Sequence, residues 1–281
     1  MEERIVTKAL LAQFKEHLIL EERSGATIEK YLRDVHAFAL CVNGMEITKE
    51  IVIAYKSKLK DAGYKARSIN SMLASINSLF RFLGWYDLRV KSIKLQQQLF
   101  CSEEKELTRK EYERLVRTAK TKCNERLSLI LQTICGTGIR VSELQFITVE
   151  AAKSGEAIVS CKGKTREVFL VRDLQKKLLR YAVEHGITAG SIFVTRGGKT
   201  LSRTNVWRDM KSLCAEAHVN PCKVFPHNLR HLFARVFYSL EKDMAKLADI
   251  LGHSSVNTTR IYIISTGTEH RRRMESLRLI L

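Results

Sequence analysis

The sequence predicts a mainly α-helical chain of two domains, with a small β-sheet confined to the second domain. Residues from about 5 to 90 carry apolar side chains at helical spacing. A polar segment without helical periodicity, residues 95–106, follows them. Residues 157–171 are rich in Val, Ile, Phe and Thr around a Lys-Gly-Lys centre, a pattern typical of a β-hairpin. A length of 281 residues, 45% of them hydrophobic, allows each domain a buried core.

The first domain, residues 1–94, is expected to be a compact bundle of four short amphipathic helices. Gly44, Gly63 and Gly84 separate its helical stretches. Two of the stretches show long apolar stripes, which indicate helix faces buried in a core. The stripes are Ile28, Tyr31, Leu32, Val35 and Phe38, and then Ile69, Met72, Leu73, Ile76, Leu79, Phe80 and Leu83.

The second domain, residues 107–281, follows the expected linker at 95–106. Thr108 and Glu111 have the spacing of a capping box, which marks the start of a helix. An apolar helical face further along is broken by glycines at 136 and 138, and Arg140 is expected to open a new helix over residues 141–146. Glu143, one turn later, is placed to hold Arg140. A short strand is expected at 191–194.

The charge of the chain predicts a polyanionic partner. There are 48 Lys and Arg against 30 Asp and Glu, a formal net charge of +18. Seven cysteines without paired spacings argue against a disulfide framework and for a reducing compartment. No signal peptide or bilayer-length apolar run is recognisable, so we expect a soluble, cytoplasmic protein that has no membrane partner.

Two arginines could hold one phosphate group. Arg140 lies in Gly-Ile-Arg-Val-Ser-Glu-Leu at residues 138–144, and Arg230 lies in Pro-His-Asn-Leu-Arg-His at residues 226–231. A guanidinium group binds two phosphate oxygens at once and stays charged near neutral pH. Removing one such donor from a site of developing charge typically raises the barrier by about 3–4 kcal/mol. This pair therefore suits a phosphodiester.

A phenol and two imidazoles complete the candidate set. Pro226 fits the first turn of a helix, so His227 and Arg230 would share one face of it. His253 follows Gly252, the expected end of another helix. Tyr262 has a reference pKa near 10 and needs a base or cationic surroundings to act as a nucleophile. His227 and His253 are candidates for that help.

Metal and cofactor chemistry is not expected. The candidate set has no metal-binding carboxylate cluster. Cys214, His218, Cys222 and His227 match no standard zinc-finger spacing, and Asn228 stands where a His-Glu-x-x-His site would have its acid. We therefore predict no metal and no cofactor.

These motifs together resemble the tyrosine recombinase, or phage integrase, family, and in size most closely its Xer subgroup. Residues 138–144 resemble the first-arginine motif of the family, and residues 227–230 resemble its His-x-x-Arg motif. Residues 251–262 are similar to the segment that carries the third basic residue and, nine positions later, the nucleophile. The family lysine lies in a hairpin turn, where Lys162 is the better match and Lys164 the second choice.

The resemblance implies a site-specific DNA recombinase that cleaves and rejoins DNA through a 3′-phosphotyrosyl intermediate. Tyr262 would be the nucleophile, and Arg140, Arg230 and His253 would stabilise the phosphorane. His227 would be the general base or assist proton transfer, and Lys162 would be the general acid. Two alternatives stay open, a type IB topoisomerase-like relaxation of DNA and a DNA-binding relative that has lost catalysis.

The resemblance also implies the partners. The N-terminal bundle would be a SAM-like core-binding domain that clamps double-stranded DNA together with the mixed α+β catalytic domain. Four protomers would work on two duplexes bearing recombination sites, as a homotetramer or with a related recombinase as hetero-partner, associated with the nucleoid. A C-terminal tail, residues 267–281, would dock on the neighbouring protomer through its apolar side chains, although packing on its own domain is an alternative. Those side chains are Met274, Leu277, Ile280 and Leu281.

Overall fold

The computed structural model describes residues 4–95, 103–161, 163–195, 197–262 and 275–276. The chain divides into two compact units, Met1–Gln97 and Gln98–Leu281. Helices make up most of both units, and the strands form one two-stranded sheet among the described residues. The predicted fold class, mainly α with a small sheet in the second domain, is confirmed.

The described part of the N-terminal unit contains four α-helices, as the periodicity predicts. Phe38 on the second helix and Phe80 on the fourth meet edge to face in the core, with ring centroids 6.0 Å apart. Both predicted apolar stripes supply fully buried side chains to this core. The helices are α1 (Lys8–Leu20), α2 (Gly25–Val42), α3 (Lys49–Asp61) and α4 (Ala66–Phe82).

Two asparagines of α4 tie the following chain to the bundle. Asn77 donates to the carbonyl of Val90 at 2.9 Å and accepts from its N–H at 3.1 Å. Asn70 makes the same pair of bonds with Ile93, at 2.9 and 2.7 Å. Backbone groups that lack a helical or strand partner are thereby satisfied.

The described part of the C-terminal unit contains eight α-helices and one β-hairpin. Its largest core lies around α6 and receives side chains from the hairpin and from most of the helices. The helices are α5 (Arg109–Thr121), α6 (Glu125–Thr137), α7 (Val149–Ser154), α8 (Arg172–Glu184), α9 (Arg203–Lys211), α10 (Pro226–Glu241), α11 (Met244–Leu251) and α12 (Val256–Arg260). The strands are β1 (Glu156–Cys161) and β2 (Lys164–Phe169).

The start of the C-terminal unit is held by α10. The predicted capping box is present: the Thr108 hydroxyl accepts from the N–H of Glu111, and the Glu111 carboxylate accepts from the N–H of Thr108. Asn228 donates to the carbonyl of Lys105 at 2.8 Å. Arg235 pairs with Glu106. Residues 105 and 106, in the segment expected as a linker, thus contact the C-terminal unit.

The β-hairpin is antiparallel, with Cys161 opposite Lys164. Gly163, in the turn, has φ +73°, a conformation that favours glycine. The prediction of a strand at 191–194 is wrong. Ser191 and Val194 each make only an isolated bridge, because none of the described stretches runs alongside this segment far enough to form a ladder.

None of the described helices is both long and apolar enough to cross a membrane.

Candidate active site

Arg230 occupies the centre of the site. Pro226 begins α10, which places Arg230 on its second turn, with only 1% of its surface exposed. The guanidinium donates from Nη1 to the carbonyl of Gly138 and from Nη2 to the carbonyl of Leu251, each at 2.5 Å. These two carbonyls end α6 and α11, so one side chain joins three helices.

The charge of Arg230 survives burial. Burial lowers its pKa to about 10, with the nearby cation Arg140 as the next cause, and the group therefore stays protonated near neutral pH. Its Nε is buried and has no hydrogen-bond partner among the described residues. A buried cation with an unused donor is suited to an anionic ligand.

Arg140 stands at the entrance to a 3₁₀ turn. The expected helix at 141–146 is a 3₁₀ helix, Val141–Phe146, with Arg140 as its N-cap. Glu143 accepts from the backbone N–H of Arg140 at 2.7 Å and from its Nη1 at 2.8 Å, as predicted. The Arg140 side chain is 34% exposed, so it keeps donors that face solvent.

Glu143 is buried between two arginines. Arg166 on β2 binds it in bidentate fashion, Nη1 to Oε1 at 3.0 Å and Nη2 to Oε2 at 2.7 Å. Burial alone would raise the pKa of Glu143, but the hydrogen bonds from Arg166 and Arg140 outweigh it and hold the pKa below its usual range. Glu143 is therefore a carboxylate that fixes both guanidinium groups.

His253 is placed by a helix end, as predicted. Gly252 follows α11 in the left-handed region, with φ +65°, and His253 comes next. The Nε2 of His253 lies 3.0 Å from Nη2 of Arg230, and its Nδ1 lies 2.8 Å from the hydroxyl of Thr259. Burial, and then the charges of Arg230 and Arg140, lower the pKa of His253 to about 4.

Tyr262 follows α12 and points inward, with 6% of its surface exposed. Its hydroxyl lies 3.2 Å from Nε2 of His227. The ring of His231 stacks on it, with centroids 4.2 Å apart and an interplanar angle of 21°. The guanidinium carbon of Arg230 lies 5.9 Å from the centre of the phenol ring. The phenol thus sits among imidazoles and beside a buried cation.

His227 and His231 are both neutral at pH 7. Burial lowers the pKa of His227, and the charges of Arg230, Arg140 and Arg203 lower it further. Burial also lowers the pKa of His231 to about 3, assisted by neighbouring basic groups. A neutral His227 can accept a proton through Nε2, whereas His231 offers its ring as packing surface to Tyr262.

The structure brings five of the six candidate residues into one cluster: Arg140, His227, Arg230, His253 and Tyr262. Lys162 lies outside the described residues. Lys164, the second choice, begins β2 opposite Cys161, and only its backbone is described.

Sequence reasoning missed Arg166 and Thr259, which hold members of the cluster. The signal for Arg166 was available, because strand alternation places it on the same face as the buried Val168. A cation on a buried face calls for a carboxylate partner. For Thr259, no local pattern distinguishes a buried partner of His253 from an ordinary helix residue.

Comparison with known proteins shows the family. The family model described as "Phage integrase family" matches residues 105–269, and "Phage integrase, N-terminal SAM-like domain" matches residues 11–86. Tyrosine recombinase XerA of Pyrococcus furiosus is 29% identical over 100% of this chain and 98% of its own length. Tyrosine recombinase XerD of Halalkalibacterium halodurans is 26% identical over 88% of this chain and 90% of its own.

Solved structures share the fold. The lambda integrase(75–356) dimer bound to a COC′ core site has a TM-score of 0.74 and 18% identity, covering 93% of this chain and 96% of that one. The XerH recombinase bound to its difH substrate has a TM-score of 0.68 and 17% identity, with coverages of 97% and 90%.

The matches define an enzyme that transfers DNA strands, a tyrosine-type recombinase. The chain belongs to the phage integrase family, whose model covers more than half of it. Its function is site-specific DNA recombination. Neither alternative, topoisomerase-like relaxation or DNA binding without catalysis, is favoured by these relatives.

Proposed function

We propose that Tyr262 attacks the scissile phosphate of a DNA recombination site and that His227 receives the phenolic proton. The observation that carries this proposal is the 3.2 Å approach of the Tyr262 hydroxyl to Nε2 of His227. Because His227 is neutral at pH 7, its Nε2 can serve as the acceptor. The surrounding arginines favour the developing phenolate.

The step is a transesterification, in which one phosphorus–oxygen ester bond forms as another breaks. A bond forms between the phenol oxygen of Tyr262 and phosphorus, and the bond from phosphorus to the 5′ oxygen breaks. The product is a 3′-phosphotyrosyl link and a free 5′ hydroxyl. A 5′ hydroxyl from the partner strand then reverses the step, so strands are exchanged without hydrolysis of a nucleotide.

Arg140, Arg230 and His253 would stabilise the charge on the non-bridging oxygens. Arg230 is fixed before DNA arrives, which is the condition for effective electrostatic stabilisation. His253 can adapt, because the hydroxyl of Thr259 can donate or accept. When a phosphate oxygen approaches, the ring proton can move to Nε2 while Thr259 donates to Nδ1.

Lys162 would protonate the departing 5′ oxygen, with Lys164 as the alternative. The support is the family motif together with the hairpin, in which β1 ends at Cys161 and β2 begins at Lys164. A compact ammonium on a flexible stem suits proton delivery to a leaving group.

A trapping experiment tests the nucleophile. DNA duplexes selected from a random pool by binding to the protein are nicked, so that the short fragment bearing the 5′ hydroxyl diffuses away after cleavage. We expect a covalent adduct with the wild-type chain that maps to Tyr262 by peptide sequencing. Tyr262→Phe should bind the same DNA without forming an adduct. An adduct at another residue, or none with the wild type, would refute the assignment.

The domain roles follow from the DNA substrate. Residues 1–94 would be the core-binding domain and 107–281 the catalytic domain, joined by a linker at 95–106. The net charge of +18 supports contact of the chain with phosphates. Since DNA is the substrate, the protein would work in the cytoplasm in association with the nucleoid.

Four protomers on two duplexes would form the working assembly, either identical or with a related recombinase as hetero-partner. The lambda integrase tetramer bound to a Holliday junction has a similar fold, with a TM-score of 0.73. In this chain an apolar groove of about 340 Å³ lies between α5, α6 and α10 and offers a place for the tail, residues 267–281, of a neighbouring copy. Its lining includes Tyr112, Phe233, Phe237 and the exposed Leu240.

Assembly on synthetic four-way junction DNA tests the groove. Leu240→Glu should lower the mass of the complex measured by sedimentation, since a buried carboxylate is unfavourable in an apolar groove. Val183→Glu is the matched control, because Val183 is 80% exposed and Leu240 is 79% exposed. If the tail instead packs on its own domain, truncation after residue 266 will lower the melting temperature of the free chain.

A further inference from the structure

We propose that Arg166 is a positioning residue for strand transfer, which fixes the β1–β2 hairpin to the Arg140 turn and to the residues before His253. The inference rests on the proposed function, because it concerns the same site. It adds a residue outside the attacking and phosphate-binding set, and it assigns that residue the placement of the hairpin.

The contacts of Arg166 reach two other elements. Its two terminal nitrogens bind both oxygens of Glu143, which in turn holds Arg140. Its Nε donates to the carbonyl of Ile250 at 3.1 Å, near the end of α11. One side chain therefore connects the hairpin strand, the 3₁₀ turn and the helix end that carries His253.

The backbone before His253 lies directly against Arg166. A Cβ built at Gly252 would stand 2.9 Å from Cδ and 3.1 Å from Nη1 of Arg166. A side chain at residue 252 would therefore have to displace the side chain of Arg166. The stem of Arg166 thus packs against the residue that immediately precedes His253, in addition to the hydrogen bond to Ile250.

The register of β1 and β2 determines the face of the hairpin on which the Arg166 guanidinium lies. Arg166 pairs with Val159, which is fully buried, and the neighbouring inward position is the buried Val168. A shift of one residue would turn the guanidinium to the opposite face of the strand. Lys164 begins the same strand two residues earlier, so the ion pair to Glu143 holds the strand that directly follows the turn.

Only arginine supplies this set of bonds. Three different nitrogens of Arg166 donate, Nε to Ile250 and the two terminal nitrogens to Glu143. A lysine has one nitrogen and no planar fork, so it keeps the charge and loses part of the geometry. Arg166→Lys therefore separates placement from charge, and Arg166→Gln removes both.

The test compares two nicked duplexes of identical sequence under single-turnover conditions. One has the natural bridging 5′ oxygen, and the other has sulfur at that position. A thiolate leaves without protonation, since the pKa of a thiol is about 8.5. If Arg166 places the hairpin and its acid, Arg166→Lys and Arg166→Gln should slow adduct formation about 100-fold on the oxygen substrate. On the sulfur substrate, the loss should be about tenfold smaller.

Arg180→Lys and Arg180→Gln are the matched controls, because Arg180 on α8 pairs with Glu125 and Glu184 at the surface. Both should keep wild-type rates on both substrates. Equal losses on oxygen and sulfur for the Arg166 variants, or wild-type rates, would overturn the inference. DNA affinity and the melting temperature are measured alongside, and Arg166→Lys gives the result if Arg166→Gln does not fold. Absence of any adduct in the wild type would refute the proposed function instead.

Discussion

Nη2 of Arg230 lies 3.0 Å from Nε2 of His253. A guanidinium can only donate, so Nε2 of His253 must be the acceptor and carries no proton. The proton of the neutral ring is then on Nδ1, which donates to the hydroxyl of Thr259 at 2.8 Å. Two neighbours therefore select one tautomer of His253 before DNA binds.

We expect neutral His253 to carry its proton on Nδ1. With a pKa of about 4, the ring should remain neutral and protonated on Nδ1 from pH 8 down to about pH 5. Heteronuclear NMR of isotope-labelled histidine distinguishes the two tautomers and the cation. In Thr259→Val the Nδ1 proton loses its acceptor, and the spectrum should change. A midpoint near the reference value of about 6.5 in the wild type would contradict the assignment.

Arg230→Lys should damage both cleavage and stability. One ammonium cannot replace the separate bonds to Gly138, Leu251 and His253. We expect adduct formation to fall about 100- to 1,000-fold. The free energy of unfolding, measured with denaturant, should fall by about 2–4 kcal/mol, because each buried acceptor left unpaired costs about 1–3 kcal/mol.

The control for that variant is Arg117→Lys, an exposed position on α5. Its unfolding free energy should change by less than about 0.5 kcal/mol. If Arg230→Lys has the same denaturant midpoint of unfolding as the wild type, the three hydrogen bonds of Arg230 do not stabilise the fold.

Gly138→Ala should destabilise the chain more than an equivalent glycine elsewhere. Gly138 has φ +68°, and a Cβ there would stand 2.5 Å from the ring of Phe233. Gly186 has φ +66° with no atom within 4 Å of the added Cβ, so Gly186→Ala measures the backbone strain alone. We expect about 1 kcal/mol for Gly186→Ala and about 2 kcal/mol more for Gly138→Ala. Equal values from thermal or denaturant unfolding would exclude the clash.

His231 makes stability depend on pH. Its pKa falls to about 3 in the fold, chiefly through burial, against about 6.5 when unfolded. The unfolded chain therefore binds the extra proton between these values, and the stability that His231 contributes is complete above pH 6.5 and is lost as the pH falls toward 3.

His231→Phe keeps an aromatic ring beside Tyr262 and cannot take up the proton. Between pH 6 and 4 the slope of unfolding free energy against pH should be smaller in the variant by up to about 1.4 kcal/mol per pH unit. Denaturant unfolding at several pH values gives both slopes, with pH 8 as the reference where His231 is neutral in either state. Identical slopes would show that His231 does not titrate on unfolding.

Local patterns predicted most of the helices and the hairpin. The Thr108–Glu111 cap and the glycine stop at Gly252 depend on residues three or four positions apart, and both are present. Spacing on one helix placed His227 and Arg230 on a shared face, whereas Arg140, His253 and Tyr262 were added because their motifs resemble those of a known family.

Long-range partners were not predictable in the same way. Glu143 and Arg166 are 23 residues apart, and nothing in the spacing couples them until the hairpin packs beside the 3₁₀ turn. The strand expected at 191–194 failed for the same reason, since a β-rich run becomes a strand only when a partner lies alongside. The turn after Arg140 tightened to 3₁₀ although its residues allow an α-helix.

Tyr262 comes after every other described member of its cluster along the chain. During synthesis, which proceeds at about 5–20 residues per second, the ribosome delivers the arginines and imidazoles first. A prematurely terminated product that stops before Tyr262 would carry the arginines and imidazoles of the site without the proposed nucleophile. Under the proposed mechanism such a fragment would lack the group that cuts DNA, so it could bind a recombination site without cleaving it.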